Sequence, residues 1–213
     1  MPDELKKSQL RALQYFFVDG TFEFGFGLLC LLLAAYFYVE AHVQGWLSAF
    51  VDVSLILVMI GGGYLINALI RRVKERVTYP RTGYVSYQRE HGIKRGGRVV
   101  ALGLVVGGVV GAATTVLVMN KNIQIAVMPL LSGLLFGLVM VILGWRASIQ
   151  RFYLLALLSA ALGVVLAFSG LENTISLTAY YAAIAVILLF TGTCVLRTYL
   201  RKNPAPQVAP DEH

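Results

Sequence analysis

Residues 152–171 read FYLLALLSAALGVVLAFSGL, a stretch of twenty residues without one charged side chain. A helix of about 20 mostly apolar residues is long enough to cross a hydrocarbon core of about 30 Å. Further uncharged runs occur at 24–39, 53–70, 99–120, 122–145 and 173–196. The runs are continuous and do not alternate apolar with polar residues. Membrane-spanning helices are therefore expected, and barrel strands are not.

The composition of the whole chain agrees with a membrane location. Hydrophobic residues make up 58% and charged residues 14% of the 213 residues, and the mean hydropathy is +0.73. So much apolar surface with so little charge excludes a water-soluble monomer and a disordered chain. We predict an all-α polytopic membrane protein, a bundle of six transmembrane helices in three hairpins, with spans near 22–42, 46–70, 98–120, 124–145, 152–170 and 175–197.

The polar segments predict the organisation around these spans. Residues 1–20 form an N-terminal segment with the pattern of an amphipathic helix on the membrane surface. A transmembrane domain over 21–199 follows, interrupted by the basic loop 71–97. Residues 200–213 form a proline-containing tail that we expect to be flexible.

The distribution of Lys and Arg predicts the orientation. Of the 18 basic residues, 17 fall on one side of the spans, and only Lys121 falls on the other. Under the positive-inside rule both termini are therefore cytoplasmic. This topology, together with attraction to anionic lipid, accounts for the net charge of +7. The lipid bilayer and anionic lipids are thus the expected partners, and nucleic acid is not.

Glycines within the spans predict where helices approach each other closely. Small residues at a spacing of four form one face of a membrane helix, against which a second backbone packs. We expect this packing within the chain more than between copies, although a homo-oligomer stays open. The glycines at this spacing are Gly103, Gly107 and Gly111 in the third span and Gly133 and Gly137 in the fourth. The second span contains three consecutive glycines, Gly61 to Gly63. They predict a kink, a crossing point or a break in this helix.

Two acidic residues, Asp19 and Glu23, stand at the start of the first span. On a continuous helix they would share one face, because they are four residues apart. Alternatively Asp19 and Gly20 form a turn and Thr21 caps the span, with Glu23 in the first helical turn. In either case the acids lie on the predicted cytoplasmic side.

The segment 71–98 is the largest polar feature, with nine basic residues against two acidic ones. Pro80 and Gly83 predict a turn, and the residues 77–79 and 84–87 have the composition of strands, so a small hairpin is expected. We predict an interaction site on this face that combines the acids of the first span with an ion pair to the loop. Its members are Asp19, Glu23, Tyr79, Arg81 and Tyr84, and Arg81 is the predicted partner of the acids.

A second candidate site lies inside the second span. Asp52 is the acidic residue placed within a predicted span, and an intramembrane carboxylate is a functional candidate because its burial is costly. Tyr64 and Asn67 add polar groups further along the same helix. Alternatively Asp52 bonds to a neighbouring serine close to the outer boundary.

The sequence lacks the motifs of common enzyme classes. It has no His-Glu-x-x-His, no Gly-x-Ser-x-Gly and no glycine-rich phosphate loop. Its three histidines stand in an outer turn, in the basic loop and at the C-terminus, which predicts no metal site. We therefore expect no catalytic residues, no cofactor and no metal.

Two motifs carry a family resemblance. Tyr15-x-x-x-Asp19-Gly20-x-x-Glu23-x-x-x-Gly27 and the segment 78–85, TYPRTGYV, resemble those of a group of uncharacterised prokaryotic multi-spanning membrane proteins. The resemblance covers about the first ninety residues. It implies a bacterial or archaeal cytoplasmic membrane and implies no activity.

These features predict a non-enzymatic integral membrane protein, an accessory or scaffold subunit that works through its basic cytoplasmic loop. Its partner would be a membrane protein, a cytoplasmic protein or anionic lipid. The alternative is a small transporter or substrate-binding subunit with a cavity near Asp52. A polar cavity that reaches Asp52 would favour transport, and a dry interior would favour a scaffold.

Overall fold

The computed structural model describes residues 17–78 and 126–204, and within these ranges every regular element is a helix. The first pair of helices is α1, Thr21–His42, and α2, Trp46–Val73, which continues into a π-helical turn, Lys74–Thr78. The remaining helices are α3, Val127–Ala147; α4, Gln150–Ala167; and α5, Asn173–Lys202. All five α-helices are long and apolar enough to cross a membrane. The all-helical fold is therefore confirmed for the described residues, and the expectation of membrane spans agrees with the length and composition of these five helices.

The predicted span 98–120 lies outside the described residues, together with its glycines at 103, 107 and 111. The number of six spans thus stays a prediction. The strand predicted at 77–79 is wrong for Val77 and Thr78, because both residues belong to the π turn. The remainder of the predicted hairpin lies outside the described residues.

The chain divides into two compact units. In the described part, unit 1 consists of residues 17–78 and 181–204, and unit 2 consists of residues 126–180. Helix α5 contributes residues 173–180 to unit 2 and its remaining residues to unit 1. Each unit has its own close helix contacts, described in turn below.

In unit 1, α1 and α2 form an antiparallel hairpin. A Cβ atom built on Gly25 would overlap the side chain of Ile70, and one built on Gly62 would lie 3.2 Å from Leu32 Cδ1. At the far end of the hairpin the Tyr36 hydroxyl donates a hydrogen bond to the Val51 carbonyl, at 3.1 Å. Helix α2 runs without a break through residues 61–63. The glycine run is therefore not an interruption, and within it Gly62 alone contacts α1.

The second neighbour of α1 in unit 1 is the C-terminal part of α5. A Cβ atom on Gly192 would lie 2.7 Å from the backbone nitrogen of Phe24, and one on Gly20 would lie 2.8 Å from the Gly192 carbonyl oxygen. Gly27 makes a similar contact with Leu189 further along the helix. Since Gly20 faces Gly192 and Gly27 faces Leu189, the two chains run in opposite directions and these helices are also antiparallel.

The antiparallel pairs bring three helix termini to one end of unit 1. Here α1 begins, α2 ends and α5 ends. The last turns of α2 and α5 carry the basic residues Arg71, Arg72, Arg201 and Lys202. We call this part of the molecule, residues 19–23, 71–76 and 197–202, the charged end of unit 1.

Unit 2 contains a tight antiparallel hairpin of α3 and α4. A Cβ atom on Gly133 would lie 2.8 Å from the Ser159 carbonyl oxygen and 2.9 Å from Gly163 Cα. Gly137 faces the Ala156 carbonyl in the same way, at 3.2 Å. The predicted small-residue face of α3 thus lies against the backbone of α4.

A buried polar contact joins α5 to this hairpin within unit 2. The hydroxyls of Ser159 and Tyr180 are 2.8 Å apart, and the Ser159 hydroxyl donates to the Gly133 carbonyl at 2.9 Å. Both side chains are fully buried. Because each hydroxyl is hydrogen-bonded, the contact satisfies polar groups that would be costly to leave unpaired in an apolar interior.

The contact at Gly133 gives the first testable prediction. Gly133→Ala places a methyl group against backbone atoms that cannot move aside, and we expect it to lower the free energy of unfolding by about 1–3 kcal/mol. The matched control is Gly63→Ala, because a Cβ atom there meets nothing within 4 Å. Thermal unfolding in detergent, followed by circular dichroism, compares the two variants. Equal stabilities would contradict the packing described for α3 and α4.

Candidate functional site

The start of α1 is formed by a short turn that its own sequence stabilises. Gly20 adopts a left-handed conformation with φ +72°, which glycine tolerates and most residues avoid. Asp19 Oδ1 accepts two hydrogen bonds from Thr21, one from the backbone nitrogen at 3.1 Å and one from the hydroxyl at 2.8 Å. Of the two arrangements considered above, the structure has the turn. Thr21 is the first helical residue, however, and Asp19 supplies the capping interaction.

The second oxygen of Asp19 meets a cation from α2. Lys74 Nζ lies 3.6 Å from Asp19 Oδ2, and the two side chains are only 5% and 1% exposed. Lys74 is the first residue of the π turn, so the ion pair joins the beginning of α1 to the end of α2. The pair is buried, and each charge depends on the other for compensation.

Glu23 completes the buried part of the charged end. Its side chain is fully buried in the first turn of α1, and its carboxylate interacts electrostatically with the Lys74 ammonium. A carboxylate in the first turn of a helix is also favoured by the helix dipole. Lys74 therefore acts on both carboxylates that the sequence singled out.

The remaining charges at this end lie on the surface. Arg71 Nε and Glu75 Oε1 form a salt bridge of 2.9 Å, with side chains that are 79% and 51% exposed. The exposed basic residues near it on α2 and on α5 are Arg72, Arg76, Arg197, Arg201 and Lys202. The charged end thus combines a buried ion pair with an outer layer of cations.

The structure brings together only part of the predicted interaction site. Asp19 and Glu23 lie side by side with Lys74. Tyr79, Arg81 and Tyr84 lie outside the described residues, so the pairing of Arg81 with the acids stays a prediction.

Of the second predicted site, the structure describes the side chains of Tyr64 and Asn67, and the site around Asp52 stays a prediction. Tyr64 is 74% exposed, and Asn67 is exposed as well. Asp52 belongs to α2, and its side chain lies outside the described residues. Tyr64 and Asn67 therefore do not line an interior in the part of the chain that the structure describes.

Sequence reasoning missed Lys74, although α2 carries a signal for it. Gly62, Ile66, Ile70 and Lys74 follow one another at a spacing of four and so share one helix face. The first three face α1: Gly62 lies near Leu32, and Ile66 and Ile70 lie near Gly25. Extending this face by one turn leads to Lys74. No neighbouring basic residue continues that face.

The described residues thus form an all-helical structure with five helices long and apolar enough to cross a membrane and a buried ion pair at one end of unit 1. Among the described residues, no group of three or more His, Cys, Asp and Glu side chains is arranged to hold a metal ion. Comparison of the chain with family models, with curated proteins and with solved structures gives no match. The resemblance in residues 15–27 and 78–85 accordingly stays a prediction, and the function has to be argued from the charged end itself.

The ion pair predicts strong coupling between its two partners. Lys74→Met leaves the two buried carboxylates of Asp19 and Glu23 without their cation, and we expect it to lower the free energy of unfolding by about 3–5 kcal/mol. Asp19→Asn should cost less, because Glu23 still compensates the Lys74 ammonium. Asn can still accept the hydrogen bonds from Thr21, so the effect of Asp19→Asn reports mainly on charge. The free energy of unfolding lost in the double variant should be much smaller than the sum of the losses in the two single variants, as measured by unfolding in detergent.

The exposed pair of Arg71 and Glu75 provides the control for this cycle. Glu75→Gln should change the free energy of unfolding by less than about 0.5 kcal/mol, because solvent screens the pair. Additive losses in the Asp19 and Lys74 cycle would show that the two groups do not interact.

Proposed function

We propose that this protein is an accessory or scaffold subunit of a membrane complex, without enzymatic activity, and that a protein partner docks on its basic segment 71–98. The membrane is the cytoplasmic membrane of a bacterium or archaeon, with both termini and the charged end of unit 1 on the cytoplasmic side. The bias of 17 among 18 basic residues supports this orientation.

The observation that carries the proposal is the buried pair of Asp19 and Lys74. The pair ties the residue at which the basic segment leaves α2 to the beginning of α1. A segment attached in this way starts from a defined position, which reduces the conformational entropy that a partner must remove on binding. The hairpin of α1 and α2 then acts as a support, and the cations of the segment beyond Arg76 form the docking surface.

The charge of the segment indicates the chemistry of the partner. Nine basic residues against two acidic ones favour an acidic protein surface, which electrostatic attraction would also steer into place. Transport is the alternative function, with Asp52 as its central residue. Its two described companions, Tyr64 and Asn67, are exposed, and this favours the scaffold.

Purification from mild detergent tests the proposal. We expect a stoichiometric protein partner to copurify with the wild type and to be lost when Arg81→Gln and Arg89→Gln are combined, because both cations belong to the docking surface. Mass spectrometry of the eluate measures the ratio of partner to bait. A lone protein that retains a small molecule or ion would contradict the scaffold and support transport through Asp52.

The accessibility of the segment 71–98 to a cysteine reagent tests separately whether the ion pair holds that segment in position. A single cysteine is introduced as Tyr84→Cys after Cys30→Ala and Cys194→Ser, since Cys194 is exposed and would react. Lys74→Met should accelerate maleimide labelling at position 84 several-fold, because the start of the segment is then released. Glu75→Gln serves as the matched control and should leave the rate unchanged. An unchanged labelling rate in Lys74→Met would show that the ion pair does not hold the segment in position.

A further inference from the structure

The lengths of α2 and α5 indicate the depth in a bilayer at which the exposed cations of the charged end would lie. Helix α2 has 28 residues and α5 has 30, which correspond to lengths of about 42 and 45 Å. Both exceed the hydrocarbon core of about 30 Å and are comparable to a bilayer that includes its headgroups.

The excess length of both helices carries the basic residues. In α2 the uncharged run stops at residue 70, and Arg71 and Arg72 follow. In α5 the uncharged run stops at residue 196, and Arg197, Arg201 and Lys202 follow. The last turns of both helices therefore fall at the level of the headgroups, on the side where α1 begins.

The basic ends of α2 and α5 belong to the two helices that pack on α1, and the start of α1 carries the buried acids Asp19 and Glu23. Gly25 of α1 contacts α2, whereas Gly20 and Gly27 contact α5. The carboxylates of α1 are buried, and Asp19 is paired with Lys74, whereas the cations of the two helix ends are exposed. A phosphate group at headgroup level would meet positive charge from both sides of α1.

We propose that the charged end of unit 1 binds the headgroup of an anionic phospholipid through Arg72 and Arg76 on one side and Arg197 and Arg201 on the other. This inference rests on the proposed orientation but not on the protein partner, whose docking is tested at Arg81 and Arg89, residues that do not belong to the lipid site. A lipid is favoured over a soluble ligand because the cations lie at the depth of the lipid phosphates. Each cation near an anionic membrane surface adds appreciable affinity.

Lipid retention tests the inference with the full-length protein. The protein is reconstituted in nanodiscs that contain equal amounts of phosphatidylglycerol and phosphatidylcholine, and the lipids retained after release are measured by native mass spectrometry. The wild type should retain phosphatidylglycerol in preference to phosphatidylcholine by at least about fivefold. The combination of Arg72→Gln, Arg76→Gln, Arg197→Gln and Arg201→Gln should abolish the preference.

The control separates this inference from the proposed function. Arg81→Gln with Arg89→Gln should keep the lipid preference while it removes the protein partner. The two double variants Arg72→Gln with Arg76→Gln and Arg197→Gln with Arg201→Gln should each reduce the preference, and either replaces the quadruple variant if that does not fold.

Three outcomes would overturn the inference. One is a wild type that retains both lipids equally. Another is an equal loss of preference in the Arg81 and Arg89 variant, which would indicate a general effect of net charge. A third is displacement of phosphatidylglycerol by soluble glycerol phosphate, which would assign the site to a free phosphate ester.

Discussion

The ion pair of Asp19 and Lys74 is the interaction on which the rest of the charged end depends. An ammonium and a carboxylate buried in an apolar helical unit are tolerated only where each compensates the other and where further hydrogen bonds satisfy their remaining capacity. Asp19 meets this requirement with its two bonds from Thr21. The Asp19 side chain therefore stabilises the turn that begins α1 and also pairs with Lys74 at the end of α2.

Glycines make this arrangement sterically feasible. Lys74 reaches Asp19 because α2 approaches α1 closely at Gly25, and α5 packs on the opposite part of α1 through Gly20 and Gly192. A methyl group at Gly192 would meet the backbone of Phe24, so a larger residue there would push α5 away. Close packing and charge compensation therefore support each other at the same helix terminus.

The positions of the described spans could be predicted from the sequence because long uncharged runs have few alternatives to a membrane helix. Helix ends were harder to predict, since α2 and α5 continue through basic residues that favour the C-terminal turn of a helix. Lys74 illustrates a stronger limit. Nine basic residues follow the second span, and their pattern in the sequence does not single out Lys74. The packing of Ile66 and Ile70 against Gly25 places Lys74, among the described ones, beside Asp19.

A buried ion pair joins α1 to α2 at the charged end. Solid-state NMR on the protein in lipid bilayers tests it directly, by the dipolar coupling between ¹⁵Nζ of lysine and ¹³Cγ of aspartate. The account predicts a short-range coupling, consistent with the separation of 3.6 Å between Lys74 Nζ and Asp19 Oδ2, and its loss in Lys74→Met. No coupling in the wild type, or a coupling that persists in Lys74→Met, would contradict the account.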